Sequence, residues 1–544
     1  MSPFEPPRVD GRDYEEIVRE FRWRLPSRFN LGTCVDRHPA GRLGLLYLPG
    51  AGGEARRYTF GELAAQSNRV ANLLSSGLGL ERGARVAVLL PPTPEAALAH
   101  LGAFKAGMIS VPLSSLFGPE ALEHRIVDSG AQTVVTDRSG LEKLEHLSGT
   151  AVSSVLLADE DRPTGPVAQG FWALVGAASD RPAAVATSAD DPALLIYTSG
   201  TSGPAKGVLH AHRVLLGQAP GFRLCHELIP QPGDLMWSPA DWAWIGGLVN
   251  TLLLSWLYGV PVIAAPRRRF DPDWALDLLA RHQVRNTFLP TTALRLMLHR
   301  PVPRGLQLRS ILAAGEAQEP ELLDRTRDAL GIPFNEVYGQ TEADFVVGHC
   351  RSRWPLRAGS MGRPYPGHSV HIAGDDGQVA APGEVGEIVV RVPDPTTLLE
   401  YWGHPQATAE KLAHGWLRTG DLGRQDDDGY LWFESRGDDV IKSAGYRIGP
   451  EEVEQCLRRH EAVASAAVVG APDELRGQIV TAYVQLRPGA VASEQMKSGM
   501  QSFVRDRLAA YQYPRAITFV EALPLTATGK VDRGRLRLKA GGQD

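Results

Sequence analysis

Residues 197–208 combine glycines, hydroxyl side chains and a lysine in a spacing suited to binding phosphate groups. They begin at the end of an apolar run, residues 193–196, that is typical of a buried strand. Glycines let the backbone approach a ligand, hydroxyls donate to phosphate oxygens, and a lysine adds a compact positive charge. A flexible linker would rarely both follow a core strand directly and end in a lysine. We therefore interpret the segment as a phosphate loop. Its members are Thr198, Ser199, Gly200, Thr201, Ser202, Gly203 and Lys206.

The loop departs from two common glycine-rich motifs. In the P-loop of nucleoside triphosphatases a serine or threonine follows the lysine, whereas Gly207 follows it here. In a nucleophile elbow a glycine would stand where this chain has Pro204. The segment therefore predicts phosphate binding by another arrangement.

Helical and strand-like patterns alternate along most of the chain, which predicts an α/β fold with largely parallel sheets. Residues 60–75 have apolar side chains at helical spacing, and residues 85–90 form a short apolar run. Near residue 436 the pattern changes to a short α+β arrangement, in which Pro450 is placed to begin a helix. We predict a large N-terminal domain, residues 1–435, and a small C-terminal domain, residues 436–544.

Composition excludes several classes of protein. The 544 residues carry a net charge of −5, and a near-neutral chain does not favour nucleic-acid binding. The four cysteines form no CxxC pair, which predicts unused thiols in a reducing compartment. The first residues are charged and proline-rich, unlike a signal peptide, so we expect a cytoplasmic protein. Monomer and homo-oligomer are equally compatible with the sequence.

One uncharged stretch, residues 242–266, is long enough to cross a bilayer. Glycines, a proline and polar residues divide it into shorter pieces. Residues 248–258 predict a buried helix that ends at Gly259, and residues 260–265 predict a core strand. We therefore expect no stable membrane insertion.

Six further segments follow the phosphate loop in a fixed order: AAGEA at 313–317, EVYGQTE at 336–342, LRTGDL at 417–422, SRGDD at 435–439, IKSAGYRIGP at 441–450 and LPLTATGKVDR at 523–533. Together with the loop they resemble the adenylate-forming enzyme superfamily, in its acyl-CoA synthetase branch and near the short- and medium-chain, acetyl-CoA synthetase-like enzymes. The resemblance covers nearly the whole chain. It implies a large N-terminal domain of parallel and mixed sheets with a β-barrel-like subdomain, followed by a small mobile α+β domain.

The resemblance also implies the reaction. A carboxylic acid and Mg-ATP give acyl-AMP and pyrophosphate, and coenzyme A then displaces AMP to give a thioester. The implied catalytic residues are Lys206, Thr341, Glu342 and Lys530, with Glu342 as the magnesium ligand, since Mg²⁺ prefers oxygen. The implied nucleotide contacts are the loop residues above and Gly315, Glu316, Ala317, Glu336, Tyr338, Gly339, Gln340, Thr341, Asp421, Arg436, Arg447 and Lys530.

Two of these residues, Asp421 and Arg436, are the implied ribose contacts. A carboxylate suits this role because it offers two acceptor oxygens and no donor. A structural ion pair is the competing interpretation for either residue alone.

The C-terminal motifs imply a hinge at Asp438 and a surface for coenzyme A. Lys442 and Arg447 lie on the face implied to approach the acyl-adenylate, and Gly445 would let the pantetheine arm pass close to the backbone. Surface arginines also form ordinary salt bridges, so Arg476 and Arg515 are the weaker members of the implied set of coenzyme A contacts. The implied coenzyme A contacts are Ala444, Gly445, Tyr446, Arg476, Tyr513 and Arg515.

The acyl pocket is implied to include Trp242, Trp244, Ile245, Gly246 and Gly339. In relatives restricted to acetate a tryptophan stands immediately before the QTE glutamine, where this chain has Gly339. By volume the site should accept more than two carbons, with about 0.8 kcal/mol gained for each buried methylene. We predict short-to-medium straight or branched acids; acetate, propionate and aryl acids are the alternatives, and plain core packing would also explain the tryptophans.

Three rival interpretations remain open. A peptide-synthetase-like enzyme would load an amino acid onto a carrier protein, but the sequence shows no carrier domain, and Asp241–Trp242 offers no obvious amino-group site. A non-catalytic nucleotide-binding protein would be expected to lack at least one charged motif residue. All four are present: Lys206, Glu342, Asp421 and Lys530. A metal site at His210 and His212 lacks a third ligand nearby, so we interpret them as a polar strand face.

Overall fold

The computed structural model describes the chain except for residues 1–8, 51–52, 146, 160–166, 183, 199–204, 268, 316–317, 319, 375–376, 438, 444–445, 474–475, 509–511, 527–528 and 542–544. For residues 442, 446–447, 452 and 477 it describes the backbone alone. The chain divides into two compact units. The first comprises residues 1–199, 204–370 and 390–417, and the second comprises residues 200–203, 371–389 and 418–544.

This division follows the packing of the chain and does not test the hinge expected at Asp438, which lies outside the described residues. The boundary at 435/436 therefore stays a prediction.

Twenty-six strands are formed by the described residues. In chain order they are β1 Leu43–Tyr47, β2 Arg56–Thr59, β3 Arg85–Leu89, β4 Ile109–Leu113, β5 Thr133–Thr136, β6 Ser154–Leu157, β7 Ala168–Gly170, β8 Pro192–Thr198, β9 Lys206–Ala211, β10 Met236–Trp237, β11 Val262–Ala264, β12 Asn286–Pro290, β13 Ser310–Ala314, β14 Asn335–Gln340, β15 Ala343–Gly348, β16 Arg363–Pro364, β17 Val370–Ala373, β18 Gly386–Arg391, β19 Glu400–Tyr401, β20 Trp416–Gln425, β21 Leu431–Arg436, β22 Ile441–Ser443, β23 Tyr446–Ile448, β24 Val463–Asp473, β25 Gly477–Leu486 and β26 Ala516–Val520.

Sixteen α-helices lie within the same described ranges. They are α1 Tyr14–Glu20, α2 Phe60–Asn72, α3 Pro94–Lys105, α4 Pro119–Ser129, α5 Arg138–Leu144, α6 Phe171–Ala177, α7 Val214–Cys225, α8 Ile245–Gly247, α9 Leu254–Leu257, α10 Pro272–Arg281, α11 Thr291–Met297, α12 Pro320–Leu330, α13 Pro405–Lys411, α14 Pro450–Arg458, α15 Glu494–Arg505 and α16 Arg533–Ala540. Short 3₁₀ helices occupy Leu31–Val35 and Ala413–Gly415, and π-helical turns occupy Leu73–Gly77 and Leu248–Leu253.

The first unit is built on two large sheets. One has the strand order β16-β15-β14-β13-β12-β10-β11-β1-β2, and the other has the order β19-β9-β8-β4-β3-β5-β6-β7. Strands β10, β11, β12, β13 and β14 pair with one another in parallel, whereas β15 pairs antiparallel with both β14 and β16 at one edge. The predicted α/β fold with parallel and mixed sheets is therefore confirmed.

Most of the individual elements predicted from the sequence are present. Helix α3 begins at Pro94 with Thr93 as its N-cap, and every residue of this helix is buried. The uncharged stretch forms α8, the π-helical turn, α9 and β11, and it is broken at Gly259, whose φ is +70°. Among the residues that the structure describes, no helix is both long and apolar enough to span a membrane.

The second unit contains the small C-terminal α+β domain predicted from the sequence. Its sheet has the order β23-β22-β25-β24, with β26 parallel to β25, and helices α14 and α15 share an apolar core with it. Helix α14 begins at Pro450 as predicted, and α15 ends at Arg505. The region predicted as barrel-like forms a four-stranded sheet of order β17-β18-β20-β21.

Strands β14 and β15 form a hairpin that turns at Thr341 and Glu342, because Gln340 pairs with Ala343. The hairpin packs on α7, and its Asp344 side chain is buried there. Burial raises the pKa of Asp344 to about 7, while hydrogen bonds from Asn250 and from the Phe345 amide act in the opposite direction. A neutral carboxyl group is therefore favoured beneath the hairpin.

We predict that Asp344→Asn stabilises the fold relative to wild type more at pH 8.5 than at pH 5. The wild-type native state binds more protons than the unfolded chain between the ordinary aspartate pKa and the raised pKa near 7. Its stability consequently falls as the pH rises through that window, whereas asparagine cannot ionise. Denaturant unfolding should show that the free energy of unfolding of Asp344→Asn, relative to wild type, rises by about 2 kcal/mol between pH 5 and pH 8.5.

The exposed Asp427 provides a matched control, since Asp427→Asn should show no such pH dependence. A difference between Asp344→Asn and wild type that is constant with pH would contradict the prediction.

Candidate active site

The phosphate loop connects two paired antiparallel strands. Thr198 ends β8 and Lys206 begins β9, and these two residues are register partners. The predicted contacts Ser199, Gly200, Thr201, Ser202 and Gly203 lie outside the described residues. On the far side of the loop the carbonyl of Ala205 accepts a 2.8 Å hydrogen bond from Nε2 of His124 on α4. Both ends of the loop are therefore fixed by regular structure.

Each of residues 340–342 receives a hydrogen bond from a different element; we call these three residues the hairpin tip. Lys411 Nζ, at the end of α13, donates to Gln340 Oε1 at 2.6 Å. His210 Nε2, on β9, donates to the carbonyl of Thr341 at 2.7 Å. Tyr401 Oη, on β19, donates to Glu342 Oε1 at 2.6 Å, and the backbone carbonyl of Glu342 accepts from the Leu398 amide at 3.0 Å. The tip is thus held from three sides.

His210 acts as a hydrogen-bond donor to the tip. Its side chain is completely buried, and burial lowers its pKa to about 4, so the ring is neutral near pH 7. The bond to Thr341 places the proton on Nε2. His212, two residues further along β9, accepts from the Leu31 amide through Nδ1. Within the described part of the chain no cluster of three metal-ligating side chains occurs, so these histidines serve as polar groups on a strand.

Tyr401 contacts both predicted charged residues of the first unit. Its strand β19 pairs with β9, where Tyr401 is the partner of Val208. Its hydroxyl binds Glu342, and the Lys206 ammonium lies 5.5 Å from the centroid of its ring, within the range of a cation–π contact. Lys206 and Glu342 therefore both contact the Tyr401 side chain, an arrangement suited to a site for a charged ligand.

Glu342 is suited to hold a magnesium ion. Tyr401 occupies one carboxylate oxygen, and across the described ranges no hydrogen bond to the other oxygen is made. Mg²⁺ commonly takes one or two carboxylates and completes its shell with water and phosphate oxygens. One half-buried carboxylate beside a lysine fits this pattern.

The predicted adenine-side residues lie on, or directly after, the paired parallel strands β13 and β14. Strands β13 and β14 are paired, so Gly315, which follows β13, lies beside β14. Gly315 has a φ of +109°, which a side chain would disfavour. Glu336 is buried on β14, and burial raises its pKa well above the usual range, which favours a neutral carboxyl group. Tyr338 is half-buried on the same strand, and Glu316 and Ala317 lie outside the described residues.

The geometry at Gly339 differs from the role expected for it. A Cβ atom there would lie 2.5 Å from the amide nitrogen of Phe345, so a glycine is needed where the two hairpin strands approach each other. Absence of a side chain at Gly339 therefore does not by itself leave space for an acyl chain. At Gly246 a Cβ would meet the ring of Phe288 at 2.8 Å. This second glycine is required by aromatic packing.

The tryptophans expected at the pocket are largely packed against other side chains. Trp242 is 3% exposed within the largest apolar cluster, and Ile245 packs on that cluster. Trp244 contacts Phe117 edge-on, with ring centroids 5.8 Å apart. Asp241 accepts from Ser114 Oγ at 2.8 Å, and burial raises its pKa. Of these residues, half-buried Trp244 and Ile245 are the more accessible to a substrate.

In the second unit Asp421 and Arg436 are brought together. They are register partners on β20 and β21, and Arg436 Nη1 lies 3.1 Å from Asp421 Oδ1. Asp421 is almost fully buried at its side chain, whereas Arg436 is about two-fifths exposed. The two predicted ribose contacts thus form an ion pair with each other, which orients both groups.

The residues predicted to contact coenzyme A gather around one end of β25. The backbones of Lys442 and Arg447 pair in the β22–β23 hairpin, and Ser443 pairs with Gly477, next to Arg476. The Arg515 guanidinium lies 5.0 Å from the ring centroid of Tyr513, just before β26. Asp438, Ala444 and Gly445 lie outside the described residues, and for Tyr446 and Arg447 only the backbone is described.

Lys530 lies on a tight turn in the second unit. The Thr526 amide donates to the Lys530 carbonyl at 2.7 Å, and Leu525 forms a bridge with Val531. The Lys530 side chain is exposed. A lysine presented at the end of a short hairpin is suited to reach a reacting group.

Three residues of this site were missed by sequence reasoning in their present roles. They are Tyr401, Lys411 and His210, of which only His210 had drawn attention, as part of a polar strand face. Their partners lie 59, 71 and 131 residues away respectively, so no local spacing connects them.

Comparison with known families gives two matches. The AMP-binding enzyme family matches residues 33–402, and the AMP-binding enzyme C-terminal domain matches residues 452–530.

Individual relatives cover almost the whole chain. The mitochondrial acyl-coenzyme A synthetase ACSM3 of Rattus norvegicus is 32% identical over 550 residues, which span 97% of this chain and 93% of the relative. An acyl-CoA synthetase of Brucella canis has a similar structure, with a TM-score of 0.75, 32% identity and coverage of 97% and 99% of the two chains. The anthranilate CoA ligase AuaEII, solved with anthranoyl-AMP, gives a TM-score of 0.84 at 26% identity, with coverage of 95% and 98%.

The first match includes Lys206 and Glu342, and the second ends at Lys530. The chain belongs to the AMP-binding enzyme family, in its adenylate-forming acyl-CoA synthetase branch.

Proposed function

We propose that this chain is an ATP-dependent acyl-CoA synthetase. A carboxylate oxygen of the substrate attacks the α-phosphorus of ATP, pyrophosphate leaves and acyl-AMP forms. The thiol of coenzyme A then attacks the acyl carbon, AMP leaves and a thioester forms, with the thiol proton released. The single observation that carries this proposal is the anchored hairpin tip, which brings Glu342 and Lys206 to Tyr401.

In the first half-reaction these groups have distinct roles. Lys206 and the hydroxyls of the phosphate loop bind the phosphates, and Thr341 adds a further contact. Glu342 would hold Mg²⁺, which supplies neutralisation of phosphate charge when bound. Because the anchored residues need not reorganise as charge develops, they stabilise the transition state more than mobile groups would.

The second unit contributes ribose and carboxylate contacts. Asp421 accepts from the ribose hydroxyls while Arg436, paired with it at 3.1 Å, orients its carboxylate. Lys530 holds the substrate carboxylate close to the α-phosphate. Both groups are anionic and would repel each other without a bridging cation. We further propose that this unit turns about Asp438 and that Arg447, Arg476, Tyr513 and Arg515 then serve coenzyme A.

We propose short-to-medium straight or branched acids as substrates, with aryl acids and acetate or propionate as the alternatives. The side chains supporting an apolar acyl group are Trp244 and Ile245, which are half-buried, and Trp242 beneath them. An amino acid substrate is disfavoured because Asp241 is engaged by Ser114 and burial raises its pKa. The existing hydrogen bond and the raised pKa both make this carboxyl group less available to a substrate ammonium.

The proposed location is the cytoplasm. Its support is that Cys34, Cys225 and Cys350 are free and buried, as is usual in a reducing compartment.

The decisive experiment measures acid-dependent exchange of labelled pyrophosphate into ATP across a panel of straight, branched and aryl acids. AMP release on addition of coenzyme A then tests the second step. We expect exchange with a subset of acids and thioester formation with coenzyme A. Failure of every acid to support exchange would overturn the proposal, and exchange that is indifferent to coenzyme A would favour loading of a carrier protein.

We predict that Lys530→Ala separates the two half-reactions. Pyrophosphate exchange should fall by about a hundredfold or more, because a positioned charge between two anionic reactants is removed. Thioester formation from supplied acyl-AMP should change by less than about threefold, since the carboxylate has already reacted at that stage. Lys539→Ala, at an exposed lysine on α16, is the matched control and should retain both activities. Equal loss of both steps would contradict the assigned role.

We also predict that Tyr401→Phe weakens the use of magnesium. The variant keeps the ring beside Lys206 but removes the hydroxyl that binds Glu342. A hydrogen bond to a charged group contributes about 1.5–3 kcal/mol, so the magnesium concentration for half-maximal exchange should rise about tenfold. Tyr58→Phe, at a half-buried tyrosine of β2, should leave that concentration unchanged. An unaltered magnesium dependence in Tyr401→Phe would show that the hydroxyl does not position Glu342.

A further inference from the structure

We propose that Arg537 and Asp439 are positioning residues for Lys530. Their ion pair attaches helix α16, and the hairpin that precedes it, to the chain immediately after Arg436. The inference rests on the proposed function, because it assumes that Lys530 acts in adenylation. All of the groups involved belong to the C-terminal part of the second unit.

The Lys530 hairpin and α16 form one continuous structure. The Asp532 amide donates to the Pro524 carbonyl at 2.8 Å and closes the stem of the hairpin. Asp532 is also the N-cap of α16, where its carboxylate accepts from the Arg535 amide at 3.0 Å. Val531 packs with Leu536 in a small apolar cluster. Whatever fixes α16 therefore fixes the base of the Lys530 turn.

The first residue of α16 attaches it to α14. Arg533 donates to both oxygens of Glu454, at 2.7 and 2.8 Å. Glu454 is 3% exposed at its side chain and also accepts from the Val468 amide of β24. Both hydrogen bonds come from the same guanidinium nitrogen, Nη2, and they are charge-assisted. This contact joins the helix to the core of the C-terminal domain.

One turn further along, α16 is attached at a second point. Arg537 Nη1 donates to Asp439 Oδ1 at 2.5 Å, and Arg533 Nη1 lies 3.7 Å from Asp439 Oδ2. The Asp439 side chain is 9% exposed, and its amide donates to the carbonyl of Arg436 at 3.1 Å. Asp439 thus connects α16 to the end of β21, where the ribose contact Arg436 is located.

The two attachments have different consequences. Removing Arg533 would leave the buried Glu454 without its partner, which is strongly destabilising in general. Arg537 is about one-third exposed, so its loss should leave the domain folded while weakening the connection to Asp439, from which Arg533 lies 3.7 Å away. An exposed lysine on a short hairpin depends on its base for position, and a displacement of about 1 Å can reduce a rate about a hundredfold. Arg537 is therefore the informative residue.

The experiment compares Arg537→Gln with Arg535→Gln, a substitution of the same type at an exposed arginine of the same helix. We expect pyrophosphate exchange to fall about tenfold in Arg537→Gln, within the range of ordinary coupling energies, and to be unchanged in Arg535→Gln. Thioester formation from supplied acyl-AMP should stay within about twofold of wild type in both variants. Arg537→Lys, which keeps the charge, should recover part of the lost exchange.

A double-mutant cycle completes the test. Asp439→Asn also removes the charge that faces Arg533 at 3.7 Å, so it should lose at least as much exchange as Arg537→Gln. Adding Arg537→Gln to Asp439→Asn should cause little further loss, because the contact between the two residues is already removed. Unchanged exchange in Arg537→Gln, or equal loss of both half-reactions, would overturn the inference. If Lys530→Ala itself retained exchange, the assigned role of Lys530 in the proposed function would fail, whatever the result for Arg537.

Discussion

Three side-chain hydrogen bonds from distant parts of the chain hold the hairpin tip, and the other features of the candidate site depend on them. A carboxylate that binds a metal and a threonine that binds phosphate must keep their positions before the ligand arrives, since a mobile group loses conformational entropy on binding. The donors are Lys411, His210 and Tyr401, which belong to a helix, an internal strand and an edge strand. The tip therefore takes its shape only when both large sheets of the first unit have formed.

The distribution of charge around the tip follows from burial. His210 is neutral because it has no access to water, so it contributes a directed hydrogen bond and no net charge. The positive charges near the tip come from Lys206 and Lys411, whose long side chains reach it from partly exposed positions. An anionic ligand would therefore contact lysine side chains that can change position and a hairpin-tip backbone that is fixed. This separation suits a site that binds and releases several phosphate-bearing molecules in one cycle.

The sequence predicted the elements of this fold well where the pattern is local. Apolar runs identified strands such as β3 and β13, and Pro450 marked the start of α14. The motifs predicted Asp421 and Arg436 as ribose contacts, without showing that they face each other across two strands. Tyr401 and Lys411 could not be found in this way, because their contacts depend on strand pairing and helix placement far along the chain. At Gly339, similarly, the local sequence could not show that the backbone next to its Cβ position belongs to the opposite strand of the hairpin.

Strand β9 carries the lysine of the phosphate loop at its first residue and the histidine of the hairpin tip at its fifth. Side chains alternate between the two faces of a strand, so Lys206 and His210 are directed to the same face only because an odd number of residues separates them. Adding or deleting one residue between them would turn one of the two away, even if every neighbouring residue were kept. Over its evolutionary history this short segment should therefore accept exchanges of residue type far more readily than any change in length.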